Sequence, residues 1–138
     1  MIRMVLIAWS EKLSTGIPSI DAQHKHFISL LNKADDLVKK KKIKELNKEL
    51  PEVLNYARTH FSTEEEIFDK TRYPFANEHK EEHLKLIAKA IYFYDKSVKG
   101  EDIGKEFMLF LKDWLENHLK KHDFKYAKYF RENKIKVD

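Results

Sequence analysis

The chain contains no cysteine, and its 138 residues include only three glycines and three prolines. The absence of cysteine excludes disulfides and thiolate metal sites, so a bound metal would have to be held by histidine nitrogens and carboxylate oxygens. The scarcity of glycine and proline predicts few turns. The apolar stretch of residues 4–9 is too short for a membrane span or for the core of a signal peptide. We therefore expect a single cytoplasmic domain.

An excess of charge of one sign is also missing. The chain carries 27 basic and 23 acidic residues, which leaves a net charge of +4. The two signs are interspersed, and no nucleic-acid-binding motif accompanies the basic residues. We therefore expect neither a nucleic-acid partner nor a membrane span.

Hydrophobic periodicity is the main feature that is present. Four segments, residues 20–42, 43–70, 77–99 and 102–120, repeat their apolar positions in alternating steps of four and three, which is the seam pattern of bundle helices. The inward positions are Ile20, His24, Phe27, Leu31, Ala34 and Val38; Leu46, Leu50, Val53, Ala57, His60, Glu64 and Ile67; His79, His83, Leu86, Ala90, Phe93 and Ser97; and Phe107, Leu111, Trp114 and His118.

These segments predict an all-α fold, an up-down-up-down four-helix bundle over residues 19–121. We expect residues 1–18 to form an N-terminal arm in which Trp9 packs against the bundle, and we expect a short helix within the C-terminal residues 122–138. Asn77 is a candidate cap for the third helix, and Gly100 is expected to follow its end. Pro51 either kinks the second helix or marks its start.

Histidines interrupt every one of the four stripes. Of seven histidines in the chain, five lie at inward positions, and Glu64 lies one turn after His60. Each buried imidazole needs a hydrogen-bond partner, and the stripes do not supply enough of them. A buried unpaired carboxylate is also costly. One metal ion rarely needs five histidines and a glutamate, whereas two ions bridged by carboxylate would use all these groups together.

The fourth segment leaves one ligand open. Asp123 follows His118 by five residues, which on a continuous α-helix places the two side chains about 140° apart. His122, four residues after His118, points more nearly inward. Either His122 is a ligand, or the helix ends near residues 120–122 and Asp123 enters from the break. The spacing does not decide between them.

The histidine motifs resemble those of the hemerythrin family, and in particular its single-domain bacterial branch. The matching stretches are "DAQHKHF" (21–27), "HFSTEE" (60–65), "HKEEH" (79–83) and "WLENHLKKHDFKY" (114–126), in the family's order. The resemblance implies two non-haem Fe ions with an oxo or hydroxo bridge, one iron bound by three histidines and the other by two, with two bridging carboxylates. The implied ligands are His24, His60, Glu64, His79, His83, His118 and Asp123.

The resemblance also implies the activity, reversible O2 binding at the iron that keeps an open position. It implies a dry O2 pocket and a tyrosine, Tyr126, that orients the segment carrying Asp123. The implied pocket residues are Phe27, Leu86, Trp114, Leu115 and Leu119. His26 and His122 are expected on the surface, and Glu65 and Glu66 are expected to be ordinary solvated acids.

The alternatives to reversible O2 binding are a di-iron redox enzyme and a sensor module. A di-iron redox enzyme of ferritin-like type would use carboxylate-rich Glu-x-x-His pairs, whereas this chain offers five histidines and two carboxylates. A sensor of O2 or NO would need a separate output protein. We therefore expect a monomeric O2-binding protein rather than an enzyme, serving storage, delivery or sensing, with an oxygen-using enzyme as a possible partner.

Overall fold

The computed structural model describes residues 6–137, and its elements are helices joined by short connections. Four long helices, α1 (Pro18–Lys39), α2 (Ile43–Thr71), α3 (Ala76–Val98) and α4 (Gly104–His118), precede a short α5 (Phe124–Glu132). α1 packs against α2 and α4, and α3 packs against the same two helices. This arrangement confirms the predicted four-helix bundle with its C-terminal helix. Within residues 6–137, every helix is too short or too polar to cross a membrane.

The helix ends follow local chemistry that the sequence showed only in part. α1 begins with Pro18, whose missing N–H is not needed in the first turn. α3 begins at Ala76 and Asn77 lies inside its first turn, so the prediction of an Asn77 cap is wrong. Gly100 follows the end of α3 at φ 89°, as expected. α2 runs through Pro51 from Ile43, so the proline does not mark its start.

The predicted inward stripes form the core. Nearly all of their positions are buried, and three of them, Val38, Ile67 and Trp114, are half-buried. A side chain at Gly104 would place its Cβ 3.0 Å from Val38, so α4 begins in close contact with the end of α1. The periodicity therefore identified the buried face of each helix correctly.

The N-terminal arm lies along the bundle from Leu6 onward. The Asn32 side chain accepts a hydrogen bond from the Ile7 backbone N–H at 3.0 Å and donates one to the Ile7 carbonyl at 2.8 Å. Trp9 packs against the core, as predicted, and the Lys25 ammonium lies 5.1 Å from its ring centre. The part of the arm before Leu6 lies outside the described residues.

Candidate metal centre

The structure brings the seven candidate ligands together in the interior of the bundle. They come from all four long helices and from the segment after α4, and they are His24, His60, Glu64, His79, His83, His118 and Asp123. Their exposed fractions run from 0% for Asp123 to 4% for His60. Two charged carboxylates at this depth need cations close by.

Asp123 reaches the interior through a π-helical turn, Leu119–Asp123, that joins α4 to α5. The Phe124 N–H donates to the Leu119 carbonyl five residues back, so this turn holds one more residue than an α-helical turn. The extra residue absorbs the angular offset between His118 and Asp123, and the His118 Nε2 lies 3.1 Å from the Asp123 Oδ1. Asp123 therefore enters the cluster without the break in the helix that we had considered.

The ligand atoms form two groups. One group contains Glu64, His79, His83 and His118, and the other contains His24, His60, Glu64 and Asp123. Asp123 also faces both groups, because its Oδ2 lies 3.1 Å from the Nε2 of His24 and its Oδ1 lies 3.1 Å from the Nε2 of His79. Each carboxylate can therefore be shared between two ions.

Glu64 occupies the same intermediate position on the other side. Its Oε1 lies 3.1 Å from the Nε2 of His60 and 3.4 Å from the Nε2 of His83. Its Oε2 lies 3.8 Å from the Nε2 of His79. The carboxylate thus contacts histidines of both groups, which is the geometry that a bridging ligand requires.

The donor atoms have no hydrogen-bond partners that explain this arrangement. All four carboxylate oxygens of Glu64 and Asp123 are buried without a hydrogen bond, and so are the Nε2 atoms of His24, His79, His83 and His118. An unprotonated imidazole nitrogen and a carboxylate oxygen are both acceptors, so they repel each other unless a cation lies between them. Metal ions fit this donor set, since histidine and carboxylate together bind iron and other transition metals.

The electrostatics favour the ionised carboxylates. Burial and the Asp123 charge raise the pKa of Glu64, but the neighbouring His60 and His83 outweigh them and hold it well below its usual range. Burial likewise raises the pKa of Asp123, and His118, His24 and His79 lower it by more. Burial lowers the pKa of His118, but the Asp123 carboxylate raises it above its ordinary value. Both carboxylates are therefore ionised, and their charge is balanced by protons on the histidines in the metal-free protein or by metal cations in their place.

Two polar residues behind the ligands were missed at the level of sequence. The Nδ1 of His60 lies 2.6 Å from the Gln23 Oε1, and the Nδ1 of His83 lies 3.0 Å from the Glu65 Oε2. Our expectation that Glu65 is an ordinary solvated acid is therefore wrong, whereas Glu66 is exposed as expected. The signal in the sequence was that both residues are neighbours of candidate ligands, since Gln23 directly precedes His24 and Glu65 directly follows Glu64.

A small cavity of about 10 Å³ adjoins His24, His60 and Asp123 of the group with two histidines, and also His118 of the other group. Besides the candidate ligands, its wall consists of apolar residues: Phe27, Ala57, Phe61, Trp114 and Leu115. Three of these belong to the predicted pocket, whereas Leu86 and Leu119 are buried elsewhere in the core. Ala57 and Phe61 were not predicted as lining residues. The space is about that of one water-sized probe.

Aromatic rings stack on two of the candidate ligands, of which His118 lines this cavity and His83 does not. Phe61 stacks on His83 with ring centres 3.8 Å apart, and Trp114 stacks on His118 with ring centres 4.3 Å apart. Stacked rings at these separations restrict rotation of the imidazoles. Phe61 and Trp114, two residues of the cavity wall, therefore also orient the rings of two candidate ligands.

Comparison with known proteins agrees with the site. A family model described as the hemerythrin HHE cation binding domain matches residues 15–130. The chain belongs to the hemerythrin family. It is 33% identical over 124 residues to a bacteriohemerythrin of Stenotrophomonas maltophilia, which covers 90% of this chain and 81% of that protein. A bacteriohemerythrin of Methylococcus capsulatus is 31% identical over 126 residues, covering 90% of this chain and 96% of the relative.

Solved structures of hemerythrin have the same fold. The crystal structure of a wild-type hemerythrin superimposes with a TM-score of 0.84 at 30% identity, covering 89% of this chain and 96% of that chain. A hemerythrin domain implies a non-haem iron centre, and the buried histidine and carboxylate groups provide the donors for one. Fold, family and donor set therefore agree.

The remaining expectations concern the burial of Tyr126 and the exposure of His26 and His122. Tyr126 is 1% exposed, and burial followed by the charges of Glu64 and Asp123 raises its pKa well above the ordinary value. His26 is exposed, as expected, and its ring contacts Tyr56 at 4.4 Å. The expectation that His122 is a surface residue is only partly right, because it is half-buried and its ring centre lies 5.3 Å from that of His118.

Proposed function

We propose that this hemerythrin binds O2 reversibly at a di-iron centre. The observation that carries the proposal is the pair of buried ligand groups that share Glu64 and face Asp123 from both sides. Storage, delivery and sensing of O2 all use this binding step. The family's known chemistry, reversible O2 binding, supports the same conclusion.

The proposed ligands divide unequally between the two irons. His79, His83 and His118 would hold one iron, and His24 and His60 would hold the other. Glu64 and Asp123, which face both groups, would be shared between the two irons, and solvent would supply an oxo or hydroxo group. The second iron would have one protein nitrogen fewer, which would leave a position there for O2. When bound, the iron pair supplies the electrons that hold O2 reversibly.

The protein's own contribution is a dry pocket beside that open position. The cavity adjoins His24 and His60, and apart from the ligands its lining is apolar. Its volume of about 10 Å³ leaves room for one small molecule and no water chain. Excluding water limits the proton transfer that would make oxidation irreversible. Phe27, Leu115 and Phe61 contribute to this exclusion through their place in the lining.

The composition of the cluster favours binding over oxidative catalysis. Five histidines and two carboxylates leave little of the coordination free, whereas ferritin-like di-iron sites use Glu-x-x-His pairs and more carboxylates. A third acid near the cluster, Glu65, contacts the rear of His83 and not the interior. Tyr126 packs beside His79, with ring centres 5.5 Å apart. We propose both residues as supports of the ligands and assign neither a catalytic step.

The experiment is a cycle of oxygenation on the reconstituted protein. The apo-protein is loaded anaerobically with Fe(II), the iron per chain is measured, and absorption spectra are recorded before air, after air and after argon. The expected result is about two irons per chain, one for each group, and a charge-transfer spectrum that disappears under argon. Irreversible oxidation on the first exposure, or turnover of added Fe(II) without a reversible spectrum, would instead favour a di-iron redox enzyme of ferritin-like type.

A further inference from the structure

The two groups of ligands differ in what lies behind their imidazoles. In the group with three histidines, the Nδ1 of His83 contacts a carboxylate, that of Glu65, at 3.0 Å. In the group with two histidines, the Nδ1 of His60 contacts a neutral amide, that of Gln23, at 2.6 Å. The Nδ1 atoms of His24 and His118 are buried without a hydrogen-bond partner. Among the side-chain contacts of residues 6–137, one histidine of each group thus has a partner at its Nδ1, and only the partner of His83 carries a charge.

Both contacts direct the Nε2 atom toward the metal. A carboxylate can only accept, so the His83 Nδ1 carries the proton that it donates to Glu65. The Nε2 of His83 then presents its lone pair to the interior. The Gln23 oxygen accepts from His60 in the same way, while the Gln23 amide nitrogen faces the Thr63 hydroxyl at 3.4 Å. Each contact selects the tautomer that binds a metal.

The charge distinguishes the two supports. A carboxylate that accepts from an imidazole raises the basicity of the opposite ring nitrogen and strengthens its bond to a cation. A neutral amide fixes the ring but adds no negative charge. Glu65 is 33% exposed, so solvent screens part of its charge, whereas the His83 ring between it and the cluster is 2% exposed. The charge therefore acts mainly through the contact with His83.

We propose that Glu65 makes the three-histidine subsite the tighter metal site, so that it fills first, and that Gln23 positions His60 while leaving the two-histidine subsite weaker. This inference rests on the proposed division of ligands between the two irons. Glu65 and Gln23 are positioning residues, since each acts through a histidine.

The test is a Co(II) titration of the metal-free protein, followed by visible absorption. We expect two binding steps in the wild type, one for each group. Glu65→Ala is expected to weaken the tight step by roughly 10–100-fold, the usual effect of losing a hydrogen-bond partner behind a metal-binding histidine. Glu65→Gln keeps an acceptor without the charge, so it should fall between Glu65→Ala and the wild type. Neither variant should change the weak step to the same extent.

Gln23 provides the matched comparison. Gln23→Ala should weaken the second step by a similar factor, and Gln23→Glu should tighten it and narrow the gap between the two steps. The double variant Gln23→Glu/Glu65→Gln, which exchanges the two supports, should reduce the gap further. Thermal unfolding of each metal-free variant by circular dichroism shows whether the fold is retained. Co(II) absorption bands that shift in the tight step for Glu65→Gln would show an effect on the metal rather than on folding alone.

The outcomes separate this inference from the proposed function. If the folded Glu65 variants titrate like the wild type, or if they weaken both steps equally, the inference is wrong while the two-metal centre stands. If Gln23→Glu leaves the second step unchanged, the role assigned to charge is wrong. If the wild type binds fewer than two Co(II) ions, the proposed di-iron centre itself fails.

Discussion

Replacing Asp123 by Asn should remove metal from one group more than from the other. The substitution keeps the shape of the side chain and removes the charge that lies 3.1 Å from the Nε2 atoms of His24, His79 and His118. Without it, the group around His24 retains only His60 and Glu64 besides His24 itself, whereas the other group retains three histidines and Glu64. The metal content should fall from about two ions per chain to about one.

Counting the ligands left in each group predicts a larger loss of metal for Glu64→Gln, because Glu64 is the one residue that both groups contain. Both ions should then be weakened, and the metal content should fall below that of Asp123→Asn. His122→Ala is the matched control, since His122 lies next to Asp123 in the π-helical turn but outside both groups. It should retain both ions and the wild-type spectrum.

The assay is metal analysis of reconstituted protein after desalting, combined with its absorption spectrum in air. Asp123→Asn should retain metal and lose the spectrum of the coupled pair, because that spectrum requires both irons. If His122→Ala loses its metal while Asp123→Asn keeps the spectrum of the pair, the ligand assignment is refuted. Circular dichroism of each variant establishes that the bundle has folded.

Three further predictions follow from burial, hydrogen bonding and charge. Leu115→Ala should lower the free energy of unfolding by about 2–5 kcal/mol. Because Leu115 lines the cavity, the substitution should also speed the loss of reversible oxygenation. The control is Leu111→Ala, which removes a similarly buried side chain outside the lining and should lower stability by a similar amount without that second effect. Asn32→Ala should cost roughly 1–3 kcal/mol in chemical denaturation by removing two hydrogen bonds to Ile7, and should leave the metal content unchanged. The His118 pKa is raised in the folded metal-free protein, so its contribution to stability is fully present below about pH 6.5 and is lost as the pH rises through the raised value. Metal affinity should change in the opposite direction and fall on acidification, because protons compete for the same nitrogen.

Each of these has a contradicting result. Equal oxidation rates in Leu115→Ala and Leu111→Ala would show that the cavity does not protect the centre. A loss of metal in Asn32→Ala would show that the arm supports the site, which its contacts do not predict. Denaturation of the metal-free protein at pH 6 and pH 8, with metal titrations at the same two values, measures the two opposite slopes. A metal affinity that rises on acidification would contradict the assignment of His118 as a ligand.

The bundle and most of the centre were predictable from the sequence, because both depend on which face of a helix is buried. His60 and Glu64, or His79 and His83, share a face at any position along a regular helix, so spacing alone placed them together. The stripe also placed His24 and His118 correctly. These residues follow the average geometry of an α-helix, which is what a periodic pattern reports.

The remaining features depend on local departures from that geometry. The π-helical turn before Asp123 adds one residue without changing the apolar pattern, so spacing left Asp123 and His122 undecided and only the family resemblance chose between them. Gln23 and Glu65 lie off the stripes, where a polar residue is expected in solvent. Their contacts with His60 and His83 depend on side-chain geometry that no periodicity reports.

The most direct test of the central claim is the amount of O2 taken up by the reduced protein. Oxygen consumption by anaerobically reconstituted protein is measured with an electrode, and the same sample is then purged with argon and exposed to oxygen again. We predict one O2 per two irons, with the same uptake in the second cycle. Uptake that appears only once, or that exceeds this ratio and continues with added Fe(II), would contradict reversible binding at a di-iron centre.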